Sequence, residues 1–317
     1  MDHPVKGEIS HEIFPFIRQY KDGTVERLAG TEIAPAGLDP ETNVLSVDTV
    51  IIQETGVSAR FYRPSSAKLG QKLPLVIYYH GGGFFVSSTA DPKYHHSLNK
   101  IVAESNIVLV SVDYRLAPEN PLPTGYHDSW AALQWVATHG KTNAWLKDYV
   151  DFDRVFLAGD SCGANMAHHF ALRLNGSELG QELEIQGIAM LFPYFWGKDP
   201  IGEEITDHFR KSMVDSWWMY VCPSDRGCDD PLINPFTDGS PSLEGLACKR
   251  VVVIVGEKDI LRDRGRVYFG NLVSSGWKGS AEMVEIKGED HVFHIFDPNC
   301  DNARSLFKRL HTFFNQS

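Results

Sequence analysis

Arg154-Val155-Phe156-Leu157-Ala158-Gly159-Asp160-Ser161-Cys162-Gly163-Ala164-Asn165 decides how the rest of the chain is read. Residues 154–158 form an apolar run of the kind found in strands buried on both faces. Residues 164–174, with Met166, Phe170, Leu172 and Leu174, predict a helix. Ser161 therefore falls on the turn between a strand and a helix, with a glycine two positions to each side. In so tight a turn, side chains at 159 and 163 would collide with neighbouring chain. The turn lifts the hydroxyl above the sheet and sets it at a helix N-terminus, where unpaired N–H groups favour developing negative charge. An ordinary glycine turn capped by Asp160 or Ser161 has the same letters, so the surrounding chain must arbitrate.

Working outward, Leu75 to Tyr79, Ile107 to Val112 and Val251 to Val255 are further apolar runs ended by Gly, Asp or His. Asp128 to Thr138 and Ala303 to Phe314 carry apolar residues at helical spacing. Strand and helix alternate, which predicts a doubly wound α/β fold with a mostly parallel central sheet covered by helices. Val44 to Gln53 and Val57 to Tyr62, separated by Glu54-Thr55-Gly56, read as a hairpin at the sheet edge. Residues 194–247 break the rhythm, with several prolines and no clear strand. Together with residues 1–40, which hold the apolar cluster Ile13, Phe14, Phe16 and Ile17, they are expected to form a cap on a single domain spanning 1–317. Wrapping of the sheet without a lid function is the other reading.

The composition narrows the possible partners. Of 317 residues, 43% are hydrophobic and 22% charged, enough for a large core. Lys and Arg total 30 against 41 Asp and Glu, and the net charge of −11 argues against nucleic acid or an anionic membrane as partner. No apolar stretch approaches the roughly 20 residues of a bilayer span. Residues 1–8 lack the pattern of a secretory signal, and five cysteines without paired metal spacing fit reduced thiols. The protein is expected to be cytoplasmic or nuclear. The sequons Asn175-Gly176-Ser177 and Asn315-Gln316-Ser317 would then stay unmodified. Nothing in the sequence specifies an oligomer.

The chemistry-bearing residues gather at strand ends. His80-Gly81-Gly82-Gly83 follows the run Leu75 to Tyr79. Three glycines let the backbone approach a substrate with its N–H groups turned inward, as an oxyanion hole requires. By this reading Gly82, Gly83 and the N–H of Cys162 would hold the oxyanion. A phosphate cradle would want a Lys-Ser or Lys-Thr pair nearby, and Phe84-Phe85-Val86 offers none. A serine nucleophile needs a base and the base an orienting acid. Asp259 lies just past Val251 to Val255, and His291 just past the strand-like run Met283 to Ile286. Asp263 is a rival acid, His294 a rival base most simply read as a helix-face histidine, and Asp290 a neighbour of either. The adjacent pairs His95-His96 and His168-His169 are poor metal sites because their side chains diverge, so no metal is expected. Phe84, Phe85, Tyr194, Phe195, Trp196, Trp217 and Trp218 are candidates for a substrate pocket, and each is equally readable as core.

With these pieces in place the sequence resembles the plant carboxylesterases of the hormone-sensitive-lipase-like group of α/β hydrolases. The likeness runs over nearly the whole chain. It is carried by Tyr20-Lys21-Asp22-Gly23-Thr24-Val25-Glu26-Arg27, His80-Gly81-Gly82-Gly83-Phe84, Asp113-Tyr114-Arg115-Leu116-Ala117-Pro118-Glu119, Gly159-Asp160-Ser161-Cys162-Gly163-Ala164-Asn165, Asp259-Ile260-Leu261-Arg262-Asp263 and Gly288-Glu289-Asp290-His291-Val292-Phe293. The resemblance implies an α/β-hydrolase fold with a helical cap and a triad of Ser161, Asp259 and His291. It also implies an oxyanion hole from Gly82, Gly83 and Cys162, a small-molecule ester as substrate and no cofactor. Relatives diverted to other chemistry include 2-hydroxyisoflavanone dehydratases, many with threonine where this chain has Ser161, and gibberellin receptors, which lack the catalytic histidine. Cys162 departs from the Ala or Ser usual at its position, but the backbone N–H is what the mechanism uses.

Overall fold

The protein is described by a computed structural model over residues 7–316. Residues 1–6, which belong to the expected cap, and Ser317 of the second sequon lie outside the described residues. The described residues begin with β1 (Ile9–Ile13), β2 (Ile17–Tyr20) and β3 (Val25–Arg27), an antiparallel three-stranded sheet. This corrects the expectation of a helical cap at its N-terminal end. Asp22-Gly23 turns the chain between β2 and β3, with Gly23 at φ +87° and the Thr24 N–H donating to Asp22 Oδ1 at 2.9 Å.

The second sheet is nine-stranded among the described residues. In chain order its elements and helices are β4 (Leu38–Asp39), β5 (Val44–Ile52), β6 (Val57–Pro64), β7 (Leu73–Tyr79), α1 (Pro92–Ser105), β8 (Val108–Asp113), α2 (Thr124–His139), β9 (Val150–Asp160) and α3 (Cys162–Leu174). Then come α4 (Glu178–Glu182), β10 (Ile185–Leu191), α5 (His208–Val221), β11 (Arg250–Gly256), α6 (Arg262–Ser274), β12 (Ser280–Ile286), α7 (Phe293–Phe296) and α8 (Asp301–Asn315). The strand order is β12-β11-β10-β9-β7-β8-β6-β5-β4. Strands β12 through β8 in that order run parallel, and β6, β5 and β4 are added antiparallel at one side, where the hairpin was expected.

Side chains alternate across the sheet. Leu75, Ile77 and Tyr79 of β7 pack with α2 and α3 residues such as Leu133, Ala167 and Phe170. Val76 and Tyr78 face the other way, onto Leu98 and Val102 of α1 and Leu306, Leu310 and Phe314 of α8. Burial on both faces is why these strands read as unbroken apolar runs. Two elements carry weaker signals in the sequence. α1 is largely polar but is started by Asp91, which accepts from the Lys93 N–H at 3.0 Å, with proline next in the chain. β10 contains Gly187, where a Cβ would lie 2.8 Å from the Phe313 ring, so the glycine lets α8 press onto the sheet.

Residues 194–247 contain no strand, as expected, and are built from α5 and short 3-10 turns. Trp217 of α5 meets Phe16 edge to face at 5.7 Å, so this region and the N-terminal sheet touch. Among the described residues no helix is long and apolar enough to cross a membrane.

Candidate active site

Ser161 sits between β9 and α3 at φ +53°, a conformation that L side chains rarely adopt. The surrounding chain enforces it. Ser161 donates its N–H to Leu191 O at 2.9 Å, and its carbonyl accepts from the Tyr194 N–H at 3.0 Å. A Cβ on Gly163 would overlap the Tyr79 carbonyl, and one on Gly159 would lie 2.6 Å from the same oxygen. Both glycines are therefore required by close approach of β7, the collision expected from the sequence.

The other two members arrive from neighbouring strands. Asp259 follows β11 and is buried, its Oδ1 accepting the Leu261 N–H at 2.8 Å. His291 follows β12, held by its own N–H donating to Asp290 Oδ1 at 2.7 Å. Its Nδ1 lies 2.7 Å from Asp259 Oδ2 and its Nε2 3.0 Å from Ser161 Oγ. An Nδ1–H donated to the carboxylate leaves the Nε2 lone pair facing the serine hydroxyl. Burial works against the imidazolium, but the Asp259 carboxylate and its hydrogen bond outweigh it, helped by Asp160 and Asp290, and raise the His291 pKa above its ordinary value.

The rivals are placed elsewhere. Asp263 is engaged by Arg266 at 2.8 Å and Arg262 at 3.2 Å. His294 is buried in α7, stacked on Phe192 at 5.5 Å, and burial pushes its pKa down to about 3. It is a core histidine. Among the described residues no group of three or more His, Cys, Asp or Glu side chains is arranged to hold a metal ion.

Gly82 and Gly83 have φ of +98° and +60°, and a Cβ on Gly82 would overlap the Val86 carbonyl. Phe85 and Val86 both donate their N–H to Gly82 O at 3.1 Å, closing the loop on itself. Cys162 is the first residue of α3, so its N–H belongs to the turn in which helix amides lack intrahelical acceptors. The Cys162 thiol is buried and its pKa is pushed up to about 12 by that burial, which leaves it unreactive.

Ser161, Asp259, His291, Gly82 and Gly83 share one cavity of about 770 Å³. Phe85, Tyr194 and Trp217 line it, as do Phe16 of the N-terminal segment and Met213 and Val214 of α5. Phe84 and Trp196 do not. The Phe84 backbone, at φ +70°, turns its ring into the core against Tyr126 and Trp218. Trp196 is fully buried with its Nε1–H donating to Asp215 at 2.6 Å. Phe195 and Trp218 are likewise core.

Asp160 escaped the sequence reading. It is fully buried behind the serine, and its carboxylate accepts from Tyr78 OH and Tyr94 OH at 2.7 Å each and from the Gly81 N–H at 3.1 Å. Burial raises its pKa even so. It ties the turn at Ser161 to the start of the glycine loop.

Known proteins resemble the chain over most of its length. The chain is 56% identical over 311 residues to a probable carboxylesterase of Arabidopsis thaliana, with 98% of each chain covered. It is 41% identical to a 2-hydroxyisoflavanone dehydratase of Glycyrrhiza echinata over 96% of each. It superposes on a thermophilic, thermostable carboxylesterase cloned from a metagenomic library with a TM-score of 0.72 at 30% identity, covering 85% of this chain and 87% of that one. A family model for the α/β hydrolase fold matches residues 76–295, the span from β7 to α7 that holds every strand end used by the site. The chain belongs to the α/β-hydrolase-fold family.

Proposed function

We propose that this protein is a serine carboxylesterase acting on small or medium esters through an acyl-enzyme. The observation that carries the reading is the continuous line Ser161 Oγ, His291, Asp259, with steps of 3.0 and 2.7 Å, at the wall of a largely apolar cavity. His291 Nε2 takes the hydroxyl proton as Oγ attacks the ester carbonyl, and Asp259 holds the ring and stabilises its charged form. The N–H groups of Gly82, Gly83 and Cys162 receive the oxyanion. His291 Nε2–H then protonates the leaving alcohol, and water repeats the two steps to free the acid. Residues 1–40 and 194–247 act as the cap that bounds the substrate. The five free thiols support a reducing compartment such as the cytoplasm.

Purified protein is expected to hydrolyse p-nitrophenyl acetate or butyrate and to react covalently with a fluorophosphonate. Ser161→Ala should lower hydrolysis by at least about 10⁴-fold and abolish labelling. An unchanged rate in that variant defeats the assignment. The dehydratase relative supports a second reading, in which His291 abstracts a proton and Ser161 only binds. Turnover of a hydroxylated flavanone that survives Ser161→Ala, while ester hydrolysis does not, would select it.

A further inference from the structure

Two sequence motifs remain without a role in this mechanism, the segment ending in Arg27 and the segment Asp113 to Glu119. The structure joins them at the glycine loop. Arg27 lies at the end of β3, mostly buried, and its guanidinium makes four hydrogen bonds to three residues. Nε donates to Phe85 O at 2.9 Å and Nη2 to Ala117 O at 2.9 Å. Nη1 and Nη2 reach the two carboxylate oxygens of Glu119 at 2.7 Å each. Ala117 in turn donates its N–H to Phe84 O at 2.9 Å, and Tyr114 OH donates to His80 O at 2.7 Å. The stretch that holds Gly82 and Gly83 is thus gripped at His80 before the glycines and at Phe84 and Phe85 after them.

The chain beyond Arg27 continues along the same loop. Gly30, at φ +69°, approaches so closely that a Cβ there would lie 2.6 Å from Ser87 N, and Ala34 donates its N–H to Ala90 O at 2.8 Å. Phe16 packs edge to face on the Phe85 ring at 6.2 Å. A glycine-rich loop has no conformation of its own to keep, because each glycine gains the most freedom when released. Its N–H groups stabilise an oxyanion only if fixed before the reaction.

We infer that Arg27 is a positioning residue for the oxyanion hole, clamping the loop of Gly82 and Gly83 through the Phe85 carbonyl while Glu119 anchors its charge. The planar fork matters, since a lysine ammonium cannot meet two backbone carbonyls and a bidentate carboxylate from one side. The inference rests on the esterase reading and adds to it that the N-terminal sheet is part of the catalytic assembly and does more than cover it.

The test measures fluorophosphonate labelling rate and p-nitrophenyl acetate turnover, each per folded molecule by circular dichroism, on wild type, Arg27→Met, Arg27→Lys and Glu119→Gln. Arg27→Met should lose about 10–100-fold in kcat and in labelling rate, with KM within about twofold. Glu119→Gln should lose several-fold and Arg27→Lys should fall between wild type and Arg27→Met. The pH midpoint of kcat/KM should stay put, because His291 and Asp259 make no contact with the clamp; a merely destabilising change would alter melting and not turnover per folded molecule. Rates within about twofold of wild type in Arg27→Met and Glu119→Gln, or a loss accompanied by a shifted midpoint, overturn the inference. Should Arg27→Met fail to fold, Glu119→Gln decides on the same criteria. A wild type that neither labels nor turns over sinks the esterase reading itself, whereas an active wild type beside unaffected variants sinks only the clamp.

Discussion

The two halves of the catalytic apparatus are built in opposite ways. Ser161 stands directly after β9, and Asp259 and His291 lie three and five residues past the ends of β11 and β12, three strands in one parallel sheet. Their spacing is set by the sheet, whose backbone pairing cannot drift by less than a residue. The oxyanion loop follows β7 in the same sheet but carries three glycines, and its shape is imposed from outside by Asp160, Tyr114 and Arg27. The nucleophilic half is positioned by secondary structure, and the electrostatic half by side chains reaching in from distant parts of the chain.

Substitutions on each side separate the two. Asp259→Asn should give the largest effect, a fall of about 10⁴ in kcat, because the amide can stabilise the tautomer with the proton on the wrong nitrogen. The fold should be kept, and melting temperature beside initial rates checks this. Asp160→Ala strikes the loop. It leaves two buried tyrosine hydroxyls without their acceptor, each worth about 1–3 kcal/mol in lost stability, and leaves the Gly81 N–H only Tyr94 OH at 2.8 Å, with a smaller loss of turnover per folded molecule than Asp259→Asn. Urea titration and rates together would show this ordering. The smallest effect sharpens the picture of the base. The neutral imidazole is the active form, so kcat/KM should rise with pH through a midpoint above the ordinary histidine value of about 6.5. The sign for stability is opposite. The raised pKa of His291 contributes stability that is full below its unfolded value and lost as pH rises through its folded value. Activity therefore grows over the range in which the His291–Asp259 pair contributes less, and Asp259→Asn should lower the midpoint.

The same contrast explains what could be read from the sequence. The acid and the histidine were legible because one follows the apolar run Val251 to Val255 and the other the strand-like run Met283 to Ile286, at the one end of the sheet where loops converge. The glycines at 159 and 163 were legible because close approach leaves no other residue type possible. Asp160 was not, since a middle letter of a five-residue turn reads as filler and its partners, Tyr78 and Tyr94, come from β7 and α1. Phe84 and Phe85 show the limit most clearly. They are adjacent, identical in type and in a loop with no periodicity, and only the positive φ at Phe84 sends one ring to the core and the other to the cavity. The N-terminal strands left a local signal in Asp22-Gly23, but short polar strands lack the apolar run that marked the others.

Phe85 has a double occupation that bears on how such a pocket can diversify. Its ring forms cavity wall, and it also lies so close to Gly83 that a Cβ there would be 2.7 Å from ring atom Cε1. Trimming that ring to admit a bulkier acyl group would remove the support beneath one of the two glycines meant to cradle the charge. Substrate breadth and catalytic speed are mechanically linked at this one side chain, so a lineage widening its range here must rebuild the loop at the same time or accept a slower enzyme.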